Sequence, residues 1–304
     1  MAFTAKDVQA LREKTGCGMM DCKKALTECD GDMEKAVDFL REKGLAQQAK
    51  KSTRIAAEGA VLVYEADGVA AAVEINAETD FVAGGDLFKD LTKKVAQVVA
   101  EQNPADVEAL GNCTLDGKTV NEAVQDLFLA VRENIKIRRF ERYEGFVGSY
   151  VHGGGKIGVL VNFETTPEIA ATEEFKTLAK DVAMQIAAVN PTYLDRDSVP
   201  AEAIEHEKSI MISQMKEDPK MANKPEQVLA KIVEGKLGKF FSEVCLIEQE
   251  FVKNGDFKVG AYIDAEAKKL GGEIKLVKFA RLEKGEGLEK RNDNFADEVA
   301  SMVK

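Results

Sequence analysis

Tryptophan is absent from this 304-residue chain, histidine appears twice, and no apolar run approaches the ~20 residues that a bilayer-spanning helix needs. The first residues, Met1 to Asp7, lack the charged and apolar regions of a signal peptide, so the chain is expected to stay in the cytoplasm and off the membrane. Positive charge is also short: 42 Lys and Arg stand against 53 Asp and Glu, a net charge of -11. Nucleic acid and anionic lipid both reward clustered cations through counterion release, and this balance works against either as a general partner. One basic run survives, Lys136, Arg138, Arg139 and Arg142, and is read as the solvated face of a helix. His152 and His206 are far apart in sequence and no Ser or Cys lies in a recognisable nucleophile motif, which leaves a catalytic triad without support. Cys17, Cys22, Cys29, Cys113 and Cys245 are odd in number in a chain without an export signal, so reduced thiols are expected. The first three are too loosely spaced for a structural zinc site and have no His nearby. No metal and no cofactor is expected.

What is present is a balanced globular composition, 45% hydrophobic and 31% charged, long enough for two or three domains. The most informative stretch is Glu74-Ile75-Asn76-Ala77-Glu78-Thr79-Asp80-Phe81-Val82. Val73, Ile75 and Ala77 share one face of a strand, and Glu74, Asn76 and Glu78 take the other, because strand side chains alternate. Thr79 and Asp80 end the strand, which holds Phe81 at a turn before Gly84-Gly85. Phe81 either folds back into the local core or is presented as a wedge. Both remain open at the level of composition.

The chain divides into four parts. Met1 to about Arg54 reads as three short helices. Thr4 and Asp7 have capping-box spacing, Thr15-Gly16-Cys17-Gly18 breaks the first helix, and Gly44 stops the third. Such a small helical unit is marginal alone and suggests a docking module. Met19 and Met20 are adjacent and cannot face the same way, so one can fill the miniature core while the other stays outside. The second and third parts are an internal repeat: Glu58-Gly59, Tyr64, Gly68, Ile75, Asn76 recur as Glu144-Gly145, Tyr150, Gly154, Val161, Asn162 at a constant offset. The following helices match from Phe88 and from Phe175, one residue further along, so one extra residue lies between strand and helix in the second copy. Asp80-Phe81-Val82 then stands opposite Thr166-Pro167-Glu168, and the fold does not require the Asp-Phe pair. The first copy carries an added helix from Val120 to about Arg139. A charged helical hairpin follows Val199-Pro200, with Asp218-Pro219 and Pro225 at its turn, and its apolar face calls for a partner. Strand residues resume near Leu276 to Leu282, and Phe295, Val299, Met302 and Val303 form the stripe of a last helix too small to be stable undocked.

These features predict an α+β protein. Its parts are a three-helix amino-terminal domain over 1–54, core subdomain 1 over 55–140, and core subdomain 2 over 141–198 plus 236–284. A helical hairpin is inserted at 199–235, and a carboxy-terminal docking helix spans 285–304. Each core subdomain is a short antiparallel sheet covered by helices. His152-Gly153-Gly154-Gly155-Lys156 superficially suggests a phosphate loop, but it lacks the spacing, sits between strands, and has no following Ser or Thr. No isolated carboxylate pair in an apolar setting marks acid-base chemistry. A binding protein, not an enzyme, is expected.

Two motifs carry a family resemblance. Leu11-Arg12-Glu13-Lys14-Thr15-Gly16-Cys17-Gly18-Met19-Met20-Asp21-Cys22-Lys23-Lys24-Ala25-Leu26 resembles the amino-terminal signature of translation elongation factor Ts, and Glu74 to Ala83 resembles its second signature. The order of parts matches along the whole chain. One departure is that Gly84-Gly85 stands where the family usually has a basic residue and then Asn or Asp. The resemblance implies guanine nucleotide exchange on elongation factor Tu, bound in its GDP and nucleotide-free forms. It implies that Asp80, Phe81, Val82, Ala83 and Gly84 form a wedge that displaces magnesium. Met19, Met20, Cys22, Lys23, His152, Phe295, Val299 and Met302 fall on partner-binding surfaces by the same argument. The hairpin is a candidate for dimer contacts, giving a homodimer or a two-plus-two complex. Two other classes compete: an adaptor acting through an amino-terminal domain that resembles ubiquitin-associated domains, and an enzyme using Cys22 as nucleophile beside Lys23.

Overall fold

The computed structural model describes residues 3–217 and 225–289. Two compact units emerge: the first takes in the described residues of 1–142, 151–158 and 282–304, the second those of 143–150 and 159–281.

The first unit begins with α1 (Ala5–Thr15), α2 (Met19–Glu28) and α3 (Met33–Lys51). Thr4 and Asp7 close the expected capping box, and Gly16 ends α1 in the left-handed conformation, φ 67°. Gly44 does not stop α3. It lies inside the helix because Leu129 fills the space of its missing side chain: a Cβ there would sit 2.4 Å from Leu129 Cδ2. Next come β1 (Glu58–Ala66) and β2 (Val69–Ala77), an antiparallel hairpin turning at Asp67 and Gly68. They lead to α4 (Asp80–Gly84), α5 (Asp86–Gln102), α6 (Val107–Asn112), the short strands β3 (Thr114–Leu115) and β4 (Lys118–Thr119), α7 (Val120–Val131) and β5 (Lys136–Glu144). The sheet order is β1-β2-β5, with β2 central. Its Val73, Ile75 and Ala77 pack with Phe88, Val95 and Val99 of α5 and with Leu127 of α7. This face follows directly from the period-two alternation.

The added helix ends earlier than the sequence pattern suggests. Arg132 takes a left-handed conformation, φ 62°, and closes α7; the following residues enter β5. Lys136, Arg138, Arg139 and Arg142 are therefore strand residues, not a solvated helix face. Arg142 Nε donates to Ala100 O at 3.0 Å, and Arg138 and Arg139 reach a buried carboxylate described below.

The remaining elements are β6 (Phe146–His152), β7 (Ile157–Glu164), α8 (Pro167–Ala170), α9 (Glu173–Val189), α10 (Ala201–Glu217), α11 (Glu226–Val244), α12 (Val259–Lys269) and β8 (Lys275–Glu283), with a 3-10 turn at Leu246–Glu248. The second sheet runs β6-β7-β8, so the late strand completes the second copy. Helices α10 and α11 bury their apolar faces against each other through Met215, Leu229, Val233 and Phe241, joined by Val199 and Cys245. The hairpin thus supplies its own partner face, because both of its helices are amphipathic.

Duplication is visible in matching details. Asn76 Nδ2 donates to Glu58 O at 3.1 Å, and Asn162 Nδ2 donates to Glu144 O at 2.7 Å. Helices α5 and α9 have equal length and end on left-handed Asn103 and Asn190. The short helices α4 and α8 are capped by Thr79 and Thr166, which shifts the correspondence by one residue. Asp80-Phe81-Val82 stands opposite Pro167-Glu168-Ile169, not Thr166-Pro167-Glu168. The extra residue lies before the capping threonine, since the cap fixes the start of each helix.

Candidate functional site

The strand β2 delivers Thr79 to the start of α4, where its hydroxyl accepts from Val82 N at 3.3 Å and its carbonyl from Ala83 N at 3.2 Å. This cap turns the expected loop into one helical turn. Val82 and Ala83 point inward, Val82 packing on the first core and Ala83 buried in it. Asp80 is exposed, and Phe81 is 88% exposed. The reading in which Phe81 folds back into the core is therefore incorrect: the helical turn uses Val82 and Ala83 for packing and leaves the ring in solvent. A single exposed apolar side chain is ordinary on a protein surface, so it is the ring's place on a capped turn at the end of β2 that sets it apart. Gly84 and Gly85 adopt no left-handed conformation, and a Cβ on Gly84 would meet nothing within 4 Å.

The base of this turn is held by carboxylates. Glu133 accepts from Thr79 N at 3.0 Å and from Thr79 Oγ1 at 2.7 Å. Glu78 accepts from Asn134 N at 2.7 Å and pairs with Arg54 at 3.3 Å. Residues 132–134 were hidden from sequence reasoning inside an over-extended helix. Their available signal was the apolar alternation of Ile135 and Ile137, which fits a strand better than a helix.

Deeper in β2, Glu74 is fully buried. Its carboxylate takes Arg139 Nε at 2.6 Å, Arg138 Nη1 at 3.0 Å, Asn76 Nδ2 at 3.1 Å and the backbone N–H of Gly285 at 2.7 Å. Burial alone would raise its pKa. The four donors outweigh that and hold it below the ordinary 4.5. The chain just after β8 is tied to the first sheet here, with Lys284 bonded to Glu58 and Arg139 paired with Glu286 at 3.0 Å.

On α2, Met20 is 74% and Met19 43% exposed, and Lys23 is exposed. Neither methionine fills the miniature core, because α7 contributes Phe128 and Leu129 to it instead. Cys22 lies wholly inside that core, its thiol 3.7 Å from Cys17 O, and burial pushes its pKa up. It is a packing side chain, not a surface contact and not an accessible thiolate. Leu87, 66% exposed at the start of α5, was not singled out by sequence; it rims a groove with Leu91, Leu127 and the end of α1. His152 is exposed at the end of β6, where its carbonyl accepts from Lys156 N at 2.9 Å. Phe295, Val299 and Met302 lie outside the described residues. Among the described residues no cluster of three or more His, Cys, Asp or Glu is placed to hold a metal ion, and no helix is long and apolar enough to cross a membrane.

A family model described as Elongation factor TS matches residues 78–286, more than two thirds of the chain. The match begins at Glu78, one residue before the threonine that caps the Phe81 turn.

Proposed function

This chain belongs to the elongation factor Ts family of translation elongation factors, and from that premise we propose that it is a guanine nucleotide exchange factor for elongation factor Tu. It binds the GDP form, promotes GDP release, and leaves an empty site for GTP to refill. It does so by binding, without making or breaking a covalent bond, in the cytoplasm. The physics is linkage: a factor that weakens GDP binding by some ratio is itself bound more weakly in the presence of GDP by the same ratio. It must therefore favour a partner conformation in which the nucleotide site is deformed.

Phe81 supplies the differential energy. An aromatic ring carries ~150 to 250 Å² of burial, and fully burying a Phe side chain between partner helices yields about 1.5 to 3 kcal/mol. That gain is available only where the partner opens a gap, so it is coupled to the deformed state. Asp80, Val82, Ala83 and Gly84 complete the wedge: Val82 and Ala83 anchor it, and Asp80 meets polar groups beside the displaced magnesium ion. Losing that ion matters because it bridges and neutralises the phosphates of GDP. Met19, Met20 and Lys23 grip the nucleotide domain of the partner, His152 faces it from the core hairpin, and Phe295, Val299 and Met302 extend the contact.

The single observation that carries this reading is the exposed ring on a capped helical turn. Its test is the release of fluorescent GDP from elongation factor Tu, chased with excess unlabelled nucleotide, with the parent chain and Phe81→Ala. Acceleration by the parent and a much weaker variant is the expected result. A variant equal to the parent removes Phe81 from the mechanism, and an inactive parent removes exchange itself.

A further inference from the structure

Two hydrogen-bonded exchanges link the segment 78–79 to the segment 133–134, and each lends a carboxylate to the other's backbone. Glu78 accepts from Asn134 N, and Glu133 accepts from Thr79 N. Glu133 does more, because its second oxygen accepts the Thr79 hydroxyl proton at 2.7 Å. A hydroxyl donating in that direction presents its lone pairs to Val82 N, which is the bond that caps α4. The Glu133 carboxylate thus orients the cap on which the Phe81 turn is built.

The same short segment reaches the other exposed surface. Arg132 donates to Asp21 Oδ2 at 2.6 Å and to Gln47 Oε1 at 2.5 Å, and its carbonyl accepts from Lys51 Nζ. Asn134 Nδ2 donates to Arg54 O at 2.9 Å. Asp21 follows Met20 directly on α2. Arg132 holds a left-handed backbone that an L side chain enters only at a cost of ~1–2 kcal/mol. Such conformations persist where surrounding contacts over-determine them. The second copy is built differently: Thr165 there donates to a backbone carbonyl, Glu273 O, and the carboxylate bonded to the Thr166 side chain is that of Glu168, on the same turn.

We propose that Arg132, Glu133 and Asn134 form a bracket that fixes the Phe81 turn relative to the Met19–Met20 face of α2, with Glu133 as the positioning residue for Phe81. The proposal rests on the exchange reading above and deepens it: one partner must meet both surfaces at once, and the bracket sets their separation. Glu133 is bonded to Thr79 N and Oγ1. It acts through Thr79.

The test is single-turnover GDP release from elongation factor Tu over a range of factor concentrations, with Glu133→Gln, Thr79→Ala, Phe81→Ala and the Glu133→Gln/Phe81→Ala double variant. An amide at position 133 turns an N–H₂ towards one of the two donors of Thr79. The maximal release rate is expected to fall on the order of tenfold, since small misplacements of a working group carry losses of that size. The half-saturating factor concentration is expected to stay within about twofold, because the α2 face is untouched. In the Phe81→Ala background the Glu133 change is expected to add nothing, the mark of two residues acting through one element. Thermal melting separates this from unfolding, and Thr79→Ala reads the same bracket if Glu133→Gln fails to fold. Parent-like rates in both Glu133→Gln and Thr79→Ala, or losses that add to that of Phe81→Ala, overturn the bracket while leaving exchange intact. An inactive parent instead removes the exchange reading on which the bracket depends.

Discussion

The two α+β copies share a strand asparagine bonded to a glutamate carbonyl, a threonine-capped helical turn, and a long helix ending on a left-handed asparagine. They part in charge and in what the turn displays. Where the first copy buries Glu74 among arginines, the second buries Leu160, and where the first exposes Phe81, the second exposes Glu168. The fold therefore needs neither the buried ion network nor the aromatic ring. Only one copy of the shared scaffold carries them, which separates what the fold requires from what this copy displays.

The comparison breaks most sharply if the second copy's residue is moved into the first. Glu74→Leu leaves Arg138 and Arg139 without their buried partner while Arg139 keeps Glu286, and a loss of ~1–3 kcal/mol in urea-unfolding stability is expected, the cost of charge-assisted bonds left unmade. If stability is unchanged, the arginines have found water and the network is ornamental. Next comes the turn. Replacing Asp80-Phe81 by the Pro-Glu of the second copy should lower the maximal GDP release rate by roughly a hundredfold, given the ring's buried area. Proline suits the first position of a capped turn, as Pro167 does in α8, so the melting temperature should hold. The reciprocal Glu168→Phe should create no exchange activity.

A smaller effect concerns pH. Glu74 is held below its ordinary 4.5, so the folded state binds its proton less readily than the unfolded chain. Its contribution is fully present above about pH 4.5 and is lost as pH falls through the lowered folded value. Urea midpoints between pH 6 and 3 should decline less steeply for Glu74→Gln than for the parent, and parallel slopes would remove Glu74 from acid lability. The smallest effect is expected at Gly84→Lys. Open space around that position limits the change to about 0.5 kcal/mol, and a larger destabilisation would mean the turn needs glycine after all.

Much of this contrast was legible in the sequence. The alternation through Val73, Ile75 and Ala77, the constant repeat offset, and the abrupt Thr79-Asp80-Phe81 all follow from local periodicity and capping chemistry. What escaped was set by distant contacts. Gly44 looked like a stop, but Leu129, far along the chain, occupies the space that lets the helix continue. Arg132 has no sequence mark of a left-handed residue, because its conformation is held by Asp21, Gln47 and Lys51. Overrunning that stop put Arg138 and Arg139 on a helix surface when they serve a buried carboxylate. The one-residue shift between α4 and α8 came from matching Thr79 to Thr165 by letter, whereas hydrogen bonding pairs it with Thr166. Cys22 shows the same limit in reverse: a motif residue can be kept for packing.

The amino-terminal helices close their core with Phe128 and Leu129 from α7, and this has a consequence in time. During synthesis α3 leaves the ribosome some eighty residues before those side chains do, a delay of roughly 4 to 16 s at ~5–20 residues per second. Through that interval the three helices have an open apolar face. Ribosome-bound chains of which about 60 and about 145 residues have emerged should accordingly differ in protease protection of the first helices, and equal protection would show that the newborn helices close on themselves. The order in which the ribosome delivers the chain thus leaves its first segment unfinished until the first α+β copy is nearly complete.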